Sequence, residues 1–426
     1  MIDPNLLLHD VEAVAAALEK KGTSPEAVHQ AHAALLDRRS ALSELETLRA
    51  EMNRRSKEVG KLLAQRDPAA MEERKRLGEL KAQISKQEAE YREAEEQFRH
   101  HMLRLPNLPS PDAPVGSTED SNVVLRREGP SVEMFQGKEY RPHWDIAADL
   151  KVFDPERAAK LSGSGFALLY GDGARLLRAL VQFGLDIHRD TYLETVVPHL
   201  VRGPIMEGTG HLPKFADDAY NTTLDDLWLV PTGEVPLTGL HQNEILEPGD
   251  LPKRYMTHTA SFRREAGSAG KDTRGFQRVH EFHKVELVRI CTPETFQEEF
   301  DALLADAEKP LRMLGLPYRV VDLCTGDLTF SSTRIFDLEV YAPGVGKWLE
   351  CASVGHFSDF QARRGNIRYR TAEGKTAPVH TLNGTGIVTP RVWAALLEHG
   401  QRPDGTVELP EVLVPYMGKK ILEPLG

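Results

Sequence analysis

The chain has 426 residues, of which 40% are apolar and 27% charged, with a formal net charge of −11. That length allows two or three domains around a large core, and no apolar run approaches a membrane span. Three widely spaced cysteines, Cys291, Cys324 and Cys351, argue against a disulfide framework, and without a CxxC pair nothing points to structural zinc.

The opening MIDPNLLLHDVEAV lacks a basic stretch followed by an apolar core, so no secretory signal is expected and the expected compartment is the cytoplasm. Residues 1–26 read as a short helix and a turn, with Gly22 closing the first helix and Pro25 opening the next. From Ala27 to Arg66 the chain is rich in Ala, Leu, Glu, Arg and Gln, and Leu35, Leu42, Leu45, Met52, Val59 and Leu63 fit a heptad seam. Asp67-Pro68 breaks it. From Ala69 to Leu105, Leu77, Leu80, Ile84, Gln87, Tyr91, Ala94, Phe98, His101 and Leu105 recur at alternating steps of three and four. Two such segments across a short turn predict an antiparallel two-helix coiled coil, with forty residues extending roughly 60 Å. Between Arg49 and Arg76 nine basic residues stand against five acidic ones, so an acidic body carries a basic tip. That keeps RNA binding open; periodicity alone equally suits a dimerisation stalk.

Residues 106–120, PNLPSPDAPVGSTED, read as a linker. This gives two domains, 1–110 and 111–426. Beyond the linker, helix-like and strand-like pieces mix without a βαβ repeat, which predicts an α+β domain on an antiparallel sheet. There is no Walker A motif and no GxGxxG, so any ATP site is of another kind.

The densest stretch is Ser261–Arg289, SFRREAGSAGKDTRGFQRVHEFHKVELVR. Phe262–Glu265 reads as a strand end, and the following loop carries Gly267, Gly270 and Gly275. Val279–Val288 reads as the return strand of an antiparallel hairpin. Alternation puts Arg263 and Glu265 on one face, and Arg278, Phe282 and Glu286 on one face of a continuous return strand. An arginine, an aromatic ring and carboxylates together suit a nucleotide plus an amino acid, although each residue alone suits an inert surface ion pair.

FRREAGSAGKDTRGFQRVHEFHKVE resembles motif 2 of class II aminoacyl-tRNA synthetases in the form found in seryl-tRNA synthetases, and the likeness extends over the chain. Ala174–Leu180 followed by Tyr192–Pro198 resembles motif 1, which in the class builds a dimer interface. Thr232-Gly233-Glu234 matches the family's serine loop. Glu350–His356 before DFQARR (Asp359–Arg364) follows the family pattern Glu-x-Ser-Ser-Cys-Ser-Asn at Glu350 and Ser353 and departs from it at Ala352, Val354, Gly355 and His356. Thr381–Gly386 with Arg391 resembles motif 3, Thr385 standing for the usual Ser and Pro390 for a usual Gly.

The resemblance implies a class II catalytic domain with a coiled-coil arm for tRNA(Ser), and activation of L-serine by ATP with transfer of the seryl group to that tRNA, and to tRNA(Sec) as well. It implies that Arg263 bridges the serine carboxylate and the α-phosphate. Glu265 reads the adenine amino group, Phe282 stacks on the base and Val279 lends its backbone. Arg264, Cys351 and Ala352 join the ATP site. Arg391 meets the γ-phosphate, and Glu350 and Ser353 hold Mg²⁺. Thr232, Gly233 and Glu234 surround the serine ammonium, while Glu286 and Thr385 line the side-chain pocket. It implies a homodimer and no zinc, although His280, His283 and Cys291 lie close in sequence. The rivals are a paralogue that adenylates an amino acid for another acceptor or regulates by binding tRNA, a non-catalytic scaffold, and another class II specificity. The full-length arm and the retained Arg263, Glu286, Glu350 and Arg391 argue against them.

Overall fold

The computed structural model describes residues 1–266 and 274–425, and the chain divides into one unit of Ile2–Pro106 and another from Asn107 onward. The first unit is helical. The helix Pro25–Ala64 begins at a built cap: Ser24 Oγ accepts from the Ala27 N–H at 3.4 Å, and Pro25 occupies the first turn, where no amide partner is needed. The helix Ala69–Met102 runs back along it. Arg49 meets Glu88 at 2.8 Å and Arg55 meets Glu73 at 3.0 Å, so late positions of one helix face early positions of the other. Leu45, Val59, Leu80 and Phe98 are buried along the seam. Leu63, expected in the same seam, is 52% exposed. The helix ends one residue later and Arg66 takes a φ of 56°, so the chain is already turning at that point. The second helix likewise stops three residues short of Leu105, although Leu105 is still buried. Lys57, Lys61, Arg74 and Lys75 are exposed around the turn.

The second unit is built on an eight-stranded sheet. In spatial order the strands are Val123–Glu128, Tyr318–Asp322, Arg334–Ala342, Lys347–His356, His380–Val388, Glu281–Cys291, Lys253–Phe262 and Leu193–Glu194. All neighbours are antiparallel except the last pair, where Leu193–Glu194 lies parallel to Tyr255–Met256. The helices Gly171–His188, Phe296–Met313 and Thr389–Gly400 pack on the sheet and bury Leu180, Phe183, Phe300, Leu303, Trp393 and Leu396. Val285 and Leu287 join that core, so Lys284 and Glu286, at alternate positions, turn to the opposite face, while Phe282 near the strand's start also packs at the margin of the core. Among the described residues no helix is long and apolar enough to cross a membrane.

The hairpin differs from its sequence reading at both ends. The first strand stops at Phe262, so Arg263, Arg264 and Glu265 lie beyond it, and Glu265 takes a φ of 51°. The return strand starts at Glu281, leaving Arg278 and Val279 outside. Gly267 and Gly270 fall outside the described residues. The return leg is instead held by side chains. The Phe276 N–H donates to His143 Nε2 at 3.2 Å, and His143 Nδ1 lies 2.9 Å from Glu398 Oε1. Gly275 is required there: its φ is 77°, and a Cβ would meet His143 Nε2 at 2.3 Å.

Behind the sheet Arg289 is 2% exposed and donates to Tyr192 Oη (2.8 Å), Glu299 Oε2 (2.6 Å) and Asp306 Oδ2 (2.7 Å). Replacing one member of a buried charge network leaves the others unpaired, at a cost of about 3–5 kcal/mol. Arg289→Met is therefore expected to lower the urea midpoint of the second unit. Fluorescence of the four tryptophans, all of which lie in that unit, reads it directly; an unchanged midpoint would show the network contributes no net stability.

Candidate active site

Two cavities open on the sheet face that carries Phe282, Lys284 and Glu286, and Arg263, Lys284, Glu350, Ser353 and Thr385 line both. The first is lined by Glu265, Arg278, Val279, Phe282, Cys351, Ala352 and Arg391. The Arg263 guanidinium sits 5.2 Å from the Phe282 ring centroid, and Arg278 pairs with Glu265 at 2.9 Å. Arg391 donates to the Glu350 carbonyl at 2.6 Å and lies 3.4 Å from its carboxylate. Ring, arginines and carboxylates thus meet in one recess, although loop geometry rather than strand alternation brings them there.

Glu350 and Ser353 are three positions apart and would face opposite sides of a regular strand. The register shows why they do not: Glu350 pairs with Glu339, Ala352 with Leu338 and Ser353 with Asp337, so Cys351 is the extra residue of a β-bulge. Cys351 is buried, its thiol donates to the Leu338 carbonyl at 3.3 Å, and burial pushes its pKa up. Beside Ser353, Asp337 Oδ1 is buried with no hydrogen-bond partner among the described residues. Burial, then the nearby Glu350, raises the Asp337 carboxyl well above the usual carboxylate range. Glu350 and Ser353 line both cavities and offer hard oxygen donors of the kind Mg²⁺ takes.

The second cavity, of about 300 Å³, holds Thr232, Glu234, Glu286 and Thr385. Thr232 Oγ1 donates to Glu286 Oε2 at 2.8 Å, and Lys284 forms an ion pair with the same carboxylate. Thr385 is the register partner of Glu286, which sets the two side by side. Glu234 opens the short helix Glu234–Gly239 and is nearly enclosed. Burial, then the neighbouring Glu286, raises its carboxyl to about 7; Gln361, Lys284 and Arg263 act in the opposite direction. An acidic, partly desolvated recess of this kind accepts an ammonium group.

Arg264 is not among the residues lining either cavity. Its Nε donates to the Ala219 carbonyl at 2.9 Å and its guanidinium stacks 4.5 Å from the Tyr220 ring, because successive side chains leave the chain on opposite sides. Gln277, Lys284, Asn383 and His211 line the cavities without having been singled out by sequence. Lys284 was within reach, two positions before Glu286 on the same strand face. Nothing local marks His211, whose Nδ1 lies 2.9 Å from Thr209 Oγ1 and which burial lowers to about 3. The three residues weighed as zinc ligands separate: His280 Nδ1 meets the Arg263 carbonyl, His283 meets His258, and Cys291 is buried.

Residues 1–109 match the family described as seryl-tRNA synthetase N-terminal domain, and residues 217–400 match the tRNA synthetase class II core domain (G, H, P, S and T). A serine–tRNA ligase of Synechococcus sp. (strain RCC307) is 44% identical, with 100% of both chains covered. The chain belongs to the seryl-tRNA synthetase family. A serine–tRNA ligase of Thermomicrobium roseum is 47% identical over 98% of this chain and 94% of its own. The seryl-tRNA synthetase of Pyrococcus horikoshii, solved in complex with ATP, superposes with a TM-score of 0.91 at 37% identity, covering 100% of both chains. The α+β fold and the helical arm are thus those of seryl-tRNA synthetases.

Space rather than backbone strain demands glycine at position 233. An added Cβ would lie 2.7 Å from Thr257 Cγ2 and 2.9 Å from Glu286 Cβ. Gly233→Ala is expected to push Glu286 and Thr232 apart and raise KM for the amino acid about tenfold or more, with KM for ATP nearly unchanged. Steady-state kinetics with each substrate varied in turn test this; equal changes in both constants would contradict it.

Proposed function

We infer that this chain activates L-serine with ATP to seryl-adenylate and pyrophosphate, and then transfers the seryl group to tRNA(Ser). The observation that carries the reading is that Arg263 lines both cavities, between the recess of Phe282 and Arg391 and the recess of Glu234 and Glu286. A guanidinium at that junction suits a serine carboxylate on one side and the ATP α-phosphate on the other. The carboxylate is already a nucleophile at neutral pH, so alignment and charge neutralisation supply most of the catalysis.

In this assignment Phe282 stacks on adenine, Glu265 accepts from its amino group, and the Val279 backbone borders it. Arg391 meets the γ-phosphate. Glu350 and Ser353 hold Mg²⁺, which draws charge from the polyphosphate when bound. Thr232 and Glu234 accept from the serine ammonium around Gly233, while Glu286 and Thr385 hydrogen-bond the serine hydroxyl. A pocket built for a hydroxyl rejects alanine, because its polar groups would be left unpaired. The basic arm tip is assigned to the tRNA backbone, since a helix pair lacks a deep groove and reads phosphate and shape. We assign the enzyme to the cytoplasm, with its tRNA, and to a homodimer. Exposed Leu193 and Val196 (65% and 95%) beside the edge strand support a partner surface.

Pyrophosphate–ATP exchange is expected with serine and not with alanine or glycine. Glu286→Ala should lower kcat/KM for serine roughly 100-fold. Exchange with none of these amino acids, from folded and Mg²⁺-supplied protein, would overturn the reading. Separately, Lys57→Glu with Lys61→Glu should raise KM for tRNA(Ser) about tenfold and flatten its salt dependence, while leaving exchange unchanged. An unaltered KM for tRNA would remove the tip from the tRNA contact.

A further inference from the structure

The DFQARR segment has no part in the chemistry assigned so far, yet it reaches the serine site. We propose that Gln361 is a positioning residue that fixes the Glu234 carboxylate toward the amino-acid ammonium and ties it to the motif 3 strand. This rests on the reading of Glu234 as an ammonium ligand. Gln361 is 1% exposed and lies on the short helix Phe360–Gly365. Its Nε2 donates to Glu234 Oε1 at 2.6 Å and to the Thr209 carbonyl at 3.2 Å, and its Oε1 accepts from Thr381 Oγ1 at 2.6 Å.

These partners leave the amide one orientation. The Thr209 carbonyl can only accept, so the NH₂ end must face it and Glu234 together, and the oxygen is left for the Thr381 hydroxyl. One side chain therefore joins the serine loop, the end of the helix Gly203–Thr209 and the strand His380–Val388, which also carries Thr385. The rest of DFQARR fixes the helix beneath it. Arg363 Nε donates to Asp359 Oδ2 at 2.7 Å, and Arg364 donates to the Glu207 and Leu212 carbonyls at 3.2 Å each. A carboxylate held by a charge-assisted donor at this distance cannot swing toward Glu286 or into water without breaking that bond.

The charged groups facing Glu234 are Glu286, which disfavours its ionised form, and Lys284 and Arg263, which favour it as Gln361 does. The sign follows. Glu234 must be ionised to hold an ammonium, so serine binding weakens as pH falls through about 7. Without the Gln361 donor, that loss sets in at higher pH.

The test uses the full chain, pyrophosphate exchange and Gln361→Met, which keeps most of the volume and removes the donor. KM for serine should rise about tenfold at neutral pH, with KM for ATP within about twofold. The acid limb of kcat/KM for serine should move up by about half a pH unit or more. Thr381→Val should shift both in the same direction, Thr381→Ser should restore them, and Gln361→Met with Thr381→Val should add little beyond Gln361→Met. Unchanged serine kinetics in Gln361→Met, or both KM values rising together with the acid limb unmoved, would overturn the proposal. Should Gln361→Met fail to fold, Thr381→Val decides by the same criteria. Glu234→Gln separates the two levels. If it leaves KM for serine unchanged, the ammonium assignment itself falls; if it weakens serine and Gln361→Met does not, only the present inference falls.

Discussion

A carboxylate removed from water must find a donor or give up its charge, and the amino-acid recess is arranged around that constraint. Two carboxylates, Glu234 and Glu286, stand together in a space that water scarcely reaches. Each is provided for separately. Glu286 receives Thr232 from the loop before the helix Glu234–Gly239 and Lys284 from its own sheet face, and Glu234 receives Gln361 from a helix more than a hundred residues further along the chain. Burial and the neighbouring Glu286 still push the Glu234 carboxyl up, which suits a site that completes itself with a cationic ligand. Strand, serine loop and DFQARR helix must all arrive at one point, and the sheet packed on three helices carries them there.

The same logic separates what the sequence disclosed from what it withheld. The arm was legible because its period repeats along the chain, and Leu45, Leu80 and Phe98 are buried where the alternation of three and four puts them. It failed at Leu63, where the helix ends and period loses its meaning. The motif residues were legible as types in order, but their geometry was not. Glu350 and Ser353 share a face only because Cys351 is extra, and a bulge of one residue has no signature in sequence. Arg264 sits in a dense motif and still turns away to Tyr220. Gln361 stood in a conspicuous run, but its partners are Glu234 and Thr381, and no local pattern announces a contact across 127 positions.

Charge is spread unevenly along the chain. The chain as a whole is acidic, while exposed Lys57, Lys61, Arg74 and Lys75 gather around the helical turn, so that end of the first unit offers a surface that suits a phosphate backbone. An acidic body discourages indiscriminate binding of nucleic acid and leaves the tip as the favourable place to begin. The global balance is therefore a poor guide to partners, and local balance a better one.

In the proposed assignment, with Arg263 at the junction, serine and ATP each enter one recess and each lose their own freedom of motion. Once a covalent bond joins them, a single body occupies both recesses, and the second set of contacts is gained without a second loss of translational freedom. The adenylate is thus retained more firmly than either reactant, as a two-pronged plug is held more firmly than two single pins. A reactive mixed anhydride stays in its socket until an acceptor arrives, and adjoining rather than separate cavities are what make that retention possible.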